Sequence, residues 1–163
     1  MTIDPIELRR VMGHFATGVT VITTKDTQGV PYGLTANAFM SLSLAPPLAL
    51  ISIDKTAQCY GCFDASKVFT VNFLSDEQED ISRRFATKGV DKFAGLEWHE
   101  GSNGAAILDG VIGHVECRVR QSYDGGDHTL IVGEIVRVEA SGGRPLLFFQ
   151  GKYQRLAFPH VSP

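Results

Sequence analysis

Two long β-rich runs, 110–123 and 129–140, are joined by Asp124-Gly125-Gly126-Asp127. An Asp/Gly turn between β-branched runs is a hairpin signal, because glycine reaches the positive φ that a tight turn demands. The hairpin commits this stretch to antiparallel pairing, and the rest of the chain extends the pattern. Thr17–Thr24 is β-branched almost throughout and predicts a strand. A turn at 26–29 leads to a strand over Tyr32–Ala36. Leu48–Ile53, Val68–Leu74, Pro145–Phe149 and Tyr153–Phe158 supply further strands.

Helices are predicted only at the periphery. Asp4-Pro5-Ile6-Glu7 has a capping Asp, a Pro at the first helical position and a Glu placed to close a capping box. That helix is expected to end at Gly13, as an αL terminator. Ser75-Asp76-Glu77-Gln78 is a second capping-box signature and predicts a helix from Asp76 to Phe85. Thr56–Ala65 reads as a short helix. The segment 86–103 is polar and irregular. Many strands, short turns and few helices predict a mainly β fold, a closed antiparallel barrel spanning 1–163 as a single domain. No G-x-G-x-x-G turn within a βαβ unit is present, which argues against a Rossmann site.

Composition narrows the function classes. A chain of 163 residues buries enough surface to fold without disulfides or metal. A net charge of −3 argues against a nucleic-acid partner. No apolar run approaches the ~20 residues of a membrane span. Asp4, Glu7, Arg9 and Arg10 interrupt the N-terminus, unlike a signal peptide, so a soluble cytoplasmic protein is expected. Cys59-Tyr60-Gly61-Cys62 matches C-x-x-C, yet no second Cys or His pair completes a zinc site, and the pattern around it is not βαβ. A structural role is favoured over a redox one. Cys117 reads as a small core residue. His14, His99, His114 and His160 share no metal spacing.

The run Gly33-Leu34-Thr35-Ala36-Asn37-Ala38-Phe39-Met40-Ser41-Leu42-Ser43 reads as a polar loop with a purpose. Small residues let backbone N–H groups approach a flat ligand, and Thr, Asn and Ser add donors and acceptors. Lys55 ends the strand that follows. This is a cradle for a planar, polar-edged, anionic cofactor, a description that flavin mononucleotide meets.

Several blocks then coincide in order. They are Phe15-Ala16-Thr17-Gly18-Val19-Thr20-Val21, the run 33–39, and Ser43 to Pro47 with Ser52-Ile53-Asp54-Lys55. Further on come Phe69-Thr70-Val71-Asn72-Phe73-Leu74-Ser75, Phe85-Ala86 and Gly126-Asp127-His128. From about Leu8 to Leu156 the chain resembles the flavin reductase family that serves two-component flavin-dependent monooxygenases. The resemblance implies an FMN-binding split β-barrel of Greek-key type working as a homodimer. It implies FMN or FAD at the barrel flank, and NADH or NADPH as hydride donor. It also implies an oxygenase component reached through diffusing reduced flavin.

On that resemblance Thr35, Ala36, Asn37 and Ala38 would bond the isoalloxazine edge, and Ser41 would extend the contact. Ser52, Ile53, Asp54 and Lys55 would line the other edge, with Lys55 neutralising phosphate or reduced flavin. Phe85 and Ala86 belong to the same set, with Arg84, Lys88 and Lys92 as further phosphate candidates. His128 would position the nicotinamide, and the hairpin turn carrying it need not touch the Thr35 to Ser41 loop or the strand that ends at Lys55, which would hold the flavin. The Cys59–Cys62 segment departs from the family's usual residues and leaves FMN against FAD open. Competing functions are a pyridoxamine-phosphate-oxidase-like FMN oxidase, whose Arg- and Lys-rich phosphate pocket is not evident, and a non-catalytic flavin binder.

Overall fold

The computed structural model describes residues 3–157. Helix α1 (Pro5–Met12) is followed by β1 (Thr17–Gly18), β2 (Thr20–Lys25), β3 (Pro31–Ala36), β4 (Phe39–Leu44) and β5 (Pro47–Asp54). Next come α2 (Tyr60–Ser66), β6 (Val68–Phe73), α3 (Glu79–Ala86), β7 (Trp98–Glu100) and β8 (Ala106–Leu108). The hairpin β9 (Gly113–Gly125) and β10 (His128–Ala140), then β11 (Leu146–Phe149) and β12 (Lys152–Arg155), complete the chain.

Seven strands form one antiparallel sheet in the order β3-β2-β6-β9-β10-β5-β4. Strands β3 and β4 stand at opposite ends of that order, yet only Asn37 and Ala38 separate them in the chain. The sheet must therefore roll until its two edges meet at these residues. The edges do not pair with each other, so the barrel is split along a seam. On either side of the seam the chain is tied to the neighbouring strand: the Ser52 N–H of β5 donates to Ala38 O at 3.1 Å, and the Thr20 hydroxyl of β2 donates to Ala36 O at 2.6 Å.

Alternation along the strands fills the barrel. In β5, Ala49, Ile51 and Ile53 point inward and are fully buried, while Leu50, Ser52 and Asp54 point outward. They meet Ile22, Phe69, Val71, Val115, Cys117 and Ile131 in the interior cluster. Each large apolar side chain buried there contributes about 1.5–3 kcal/mol. Gly133 makes room for one of them: a Cβ on it would lie 2.4 Å from the Phe69 ring. A second cluster, with Val21, Leu74, Phe85, Leu108 and Leu146, seals the outer face of β2 beneath α3 and β11. Asn72 ties the two regions: its buried amide donates to Val21 O at 3.2 Å and accepts from the Leu108 N–H at 2.9 Å.

Several sequence expectations shift. The polar loop over 37–43 is mostly strand β4 (Phe39–Leu44), because Met40-Ser41-Leu42-Ser43-Leu44 alternates apolar and polar with period two. The run Thr17–Thr24 is split: β1 joins a small sheet with β11 and β12, and the chain enters the barrel only at Thr20. Gly13 sits at φ −63, not in the left-handed region, and Glu7 bonds Arg10 at 2.6 Å instead of closing a capping box. Helix α2 starts at Tyr60 because Asp54 Oδ1 first accepts the Thr56 N–H in a turn. Half of the second capping box forms, with the Ser75 N–H donating to Gln78 Oε1 at 3.0 Å, but α3 starts at Glu79. Strand β12 ends at Arg155, and Phe158 lies outside the described residues.

Candidate active site

Three clefts converge on Asn37. The first, of 610 Å³, is lined by Phe15, Thr17, Ala38, Met40, Leu50 and Ser52 beside it. The second, of 450 Å³, runs past Thr17, Phe39 and Phe73. The third, of 220 Å³, lies between Thr35, Ala36, Ser82, Ala86 and Tyr153. All three include Asn37, whose side chain is exposed and makes no hydrogen bond among the described residues. Ser52 lies on the same face, and its hydroxyl is equally unspent among the described residues. Ala38 and Ala86 add no side chain beyond a methyl group. The seam is thus an open trough with amide and hydroxyl donors along a flat, small-residue floor, and these residues fit a planar ligand with a polar edge.

Register places His128 on this face. Across β5 and β10, Ser52 is opposite Leu130 and Asp54 is opposite His128. Directly opposed residues of an antiparallel pair point to the same side. Ala38, Ser52, Asp54 and His128 therefore share the outer face of the barrel. Strand spacings put the Cα atoms of Ala38 and His128 roughly 12 Å apart. The His128 ring is half-exposed, with Nδ1 at 2.7 Å from Asp127 Oδ1.

Other expected contacts are redirected. Phe85 is completely buried against Gly33 and Phe93, so its side chain is core and not a ligand contact. Ile53 points into the barrel, leaving only its backbone toward the trough. Thr35 lines the small cleft, but its hydroxyl donates to Ser82 O at 2.6 Å. Ser41 is opposite Ala49, the inward parity of β5, and lines none of the three clefts. The hairpin tip does touch the residue just past the end of β5. Lys55 Nζ donates to Gly126 O at 2.6 Å and pairs with the Asp124 carboxylate. That hydrogen bond from the Lys55 ammonium is the largest cause holding the Asp124 carboxyl below its usual range, and it raises Lys55 in turn.

The remaining cations sort by what they already hold. Arg84 Nη1 donates to Ala94 O at 2.8 Å. Lys92 Nζ donates to Gly33 O at 3.0 Å and Phe85 O at 2.8 Å, and burial lowers its pKa. Lys88 is exposed and makes no hydrogen bond among the described residues. Asp54 lies within its field: the carboxyl is held low first by the Thr56 backbone N–H, with the charges of His128 and Lys88 acting in the same direction. Among the described residues no cluster is suited to a metal ion, and His160 lies outside them. Cys59, Cys62 and Cys117 are free thiols. Burial pushes Cys59 up to about 11 and raises Cys62, so neither is a ready thiolate at neutral pH.

Three residues of the site escaped the sequence reading. Thr17 Oγ1 is buried without a hydrogen-bond partner and its residue lines two of the clefts. Its place in the 15–21 block was the only signal. Ser82 and Tyr153, bonded hydroxyl to hydroxyl at 2.8 Å, wall the small cleft. They are 71 residues apart, so no local pattern marks them.

A family model described as "Flavin reductase like domain" matches residues 12–157. The reductase subunit HsaB of a flavin-dependent monooxygenase from Rhodococcus jostii is 43% identical over 152 residues, which is 93% of this chain and 77% of that protein. Nitrilotriacetate monooxygenase component B from Mycobacterium thermoresistibile superposes with a TM-score of 0.91 at 38% identity, covering 97% of this chain and 89% of that one. The NADH:FAD oxidoreductase SgcE6 of Streptomyces globisporus, in complex with NAD and FAD fragments, gives 0.90 at 38% identity over 99% of each chain.

Proposed function

Because the chain belongs to the flavin reductase like domain family, we propose that the Asn37 seam is where it brings a flavin and a reduced nicotinamide together. The chain is an oxidoreductase of the kind that supplies reduced flavin to a monooxygenase. The observation that carries the placement is Asn37 itself: an unspent amide at the meeting point of three clefts and two sheet edges.

When bound, the flavin supplies the hydride acceptor and the nicotinamide the donor. The protein's part is geometric. Asn37 and Ser52 bond the flavin's polar edge, and the backbone of Ile53 and Asp54 continues that wall. Ala36, Ala38 and Ala86 keep both ring faces open. Thr35, tied to Ser82, fixes the opposite wall. Lys88 neutralises phosphate, since Lys55, Arg84 and Lys92 are engaged elsewhere. His128 bonds and orients the nicotinamide on the shared face. Stacking two rings needs proximity more than acid–base chemistry, which fits a site without paired catalytic carboxylates.

FAD and NADH are the proposed pair, supported by the NAD and FAD fragments bound to the Streptomyces globisporus relative. A homodimer is proposed because Phe15, Met40, Leu44 and Val138 are large apolar side chains left 73%, 51%, 91% and 62% exposed. Light scattering reads this directly, and a monomer mass contradicts it. No helix of the described residues is long and apolar enough to cross a membrane. Steady-state NADH oxidation with added FAD, FMN or riboflavin tests the function. Flavin-dependent oxidation is expected, with FAD preferred; flavin binding without NADH oxidation contradicts it.

A further inference from the structure

The tip of the β9–β10 hairpin is held to the fold by one residue just past the end of β5. Residues 120–127 are all exposed, so no packing fixes the tip. Beyond the His128–Asp54 pair, its hydrogen bonds to other elements come, among the described residues, from Lys55 alone. The Lys55 N–H donates to Asp127 O at 3.0 Å. The Lys55 ammonium donates to Gly126 O at 2.6 Å and to the Asp124 carboxylate. Two of these three acceptors are backbone carbonyls; only Asp124 contributes a side chain, and its carboxylate is the foremost charge that draws a flexible lysine stem to this side, with Asp127 adding a smaller part. Asp127 is fixed at its carbonyl by Lys55 and meets His128 Nδ1 through its own carboxylate at 2.7 Å. An unbroken chain of contacts runs from Asp124 through Lys55 to His128.

We propose that Asp124 is a positioning residue for the nicotinamide: through Lys55 it clamps the hairpin tip to the end of β5 and so sets where His128 stands over the face that carries Ala38 and Ser52. This rests on the assignment of His128 to the nicotinamide. An exposed ion pair contributes little to stability, so the fold has little use for it. A misplacement of about 1 Å at a reacting centre costs up to about 100-fold in rate, so the reaction does.

The test compares Asp124→Ala, Asp124→Glu, His128→Ala and the Asp124→Ala/His128→Ala double variant. Amide hydrogen exchange is measured on flavin-free protein, and anaerobic single-turnover flavin reduction at saturating FAD and NADH. Asp124→Ala is expected to speed exchange at the Lys55 amide about tenfold, with the barrel-core amides unchanged. It is expected to slow flavin reduction about 5- to 20-fold with FAD affinity held within about twofold. Asp124→Glu restores both. In the His128→Ala background Asp124→Ala adds no further loss, because it acts through the residue already removed. Unchanged exchange and rate in Asp124→Ala overturn the proposal, as does an additive loss in the double variant. A fall in FAD affinity matching the fall in rate also overturns it, making Lys55 a flavin ligand. If His128→Ala runs at the parent rate, the nicotinamide assignment fails and the proposal falls with it. A slow His128→Ala beside a normal Asp124→Ala sinks the proposal alone.

Discussion

Gly33 and Phe85 touch so closely that a Cβ on Gly33 would lie 2.8 Å from the Phe85 ring and 3.1 Å from Ile22 O. This contact seats α3 on β3 and thereby sets Thr35, Ser82 and Ala86 around the small cleft. A rigid ring on one side and backbone on the other cannot both yield. Gly33→Ala is expected to destabilise the protein by about 1–3 kcal/mol through overpacking, and Phe85→Ala by about 3–5 kcal/mol through the cavity it leaves. Chemical denaturation of the two variants reads both values; a neutral Gly33→Ala contradicts the packing.

Asn37 lies at the trough without a hydrogen bond inside the chain, so the fold does not depend on its amide. Asn37→Ala is expected to weaken flavin binding roughly 5- to 150-fold, the worth of a buried hydrogen bond of about 1–3 kcal/mol. The melting temperature should hardly change. Titration with FAD and FMN beside a thermal melt separates the two, and parental flavin affinity would remove Asn37 from the site.

The buried thiols make stability fall in alkali. Burial raises Cys59 from 9.0 to about 11 and Cys117 from 9.0 to about 12. The folded state thus holds these protons more tightly than the unfolded chain. That contribution is complete below about pH 9 and is lost as pH rises toward the folded values. Melting temperature against pH should decline less steeply above about pH 9 in Cys117→Ala than in the parent. Parallel curves would show that the thiol is not the titrating group.

Much of this architecture is legible in the residues. The Asp124–Asp127 hairpin, the buried strands near 48–53 and 68–74, and the peripheral helices follow from periodicity and turn chemistry. Strand β4 hides because serines at alternate positions imitate a loop, although Met40 and Leu42 keep the period of two. Strands β7 and β8 hide in a stretch whose polarity masks three buried residues, Ala106-Ile107-Leu108. In the site, the block around Asn37 announces its small, polar character. The partners of the cations do not announce themselves. Lys55 finds Asp124 at a separation of 69 residues, and Lys92 finds Gly33 O at 59. A sequence shows that a lysine is present but not which acceptor the fold brings to it.

In the proposed function one barrel face holds flavin at Asn37 and nicotinamide at His128. Anaerobic stopped-flow reduction of FAD by NADH in His128→Ala tests it most directly, because loss of flavin absorbance follows the hydride itself. Slowing that approaches about 100-fold is expected, with FAD affinity close to that of the parent. Reduction at the parent rate at every NADH concentration would contradict it and make His128 a solvated turn residue.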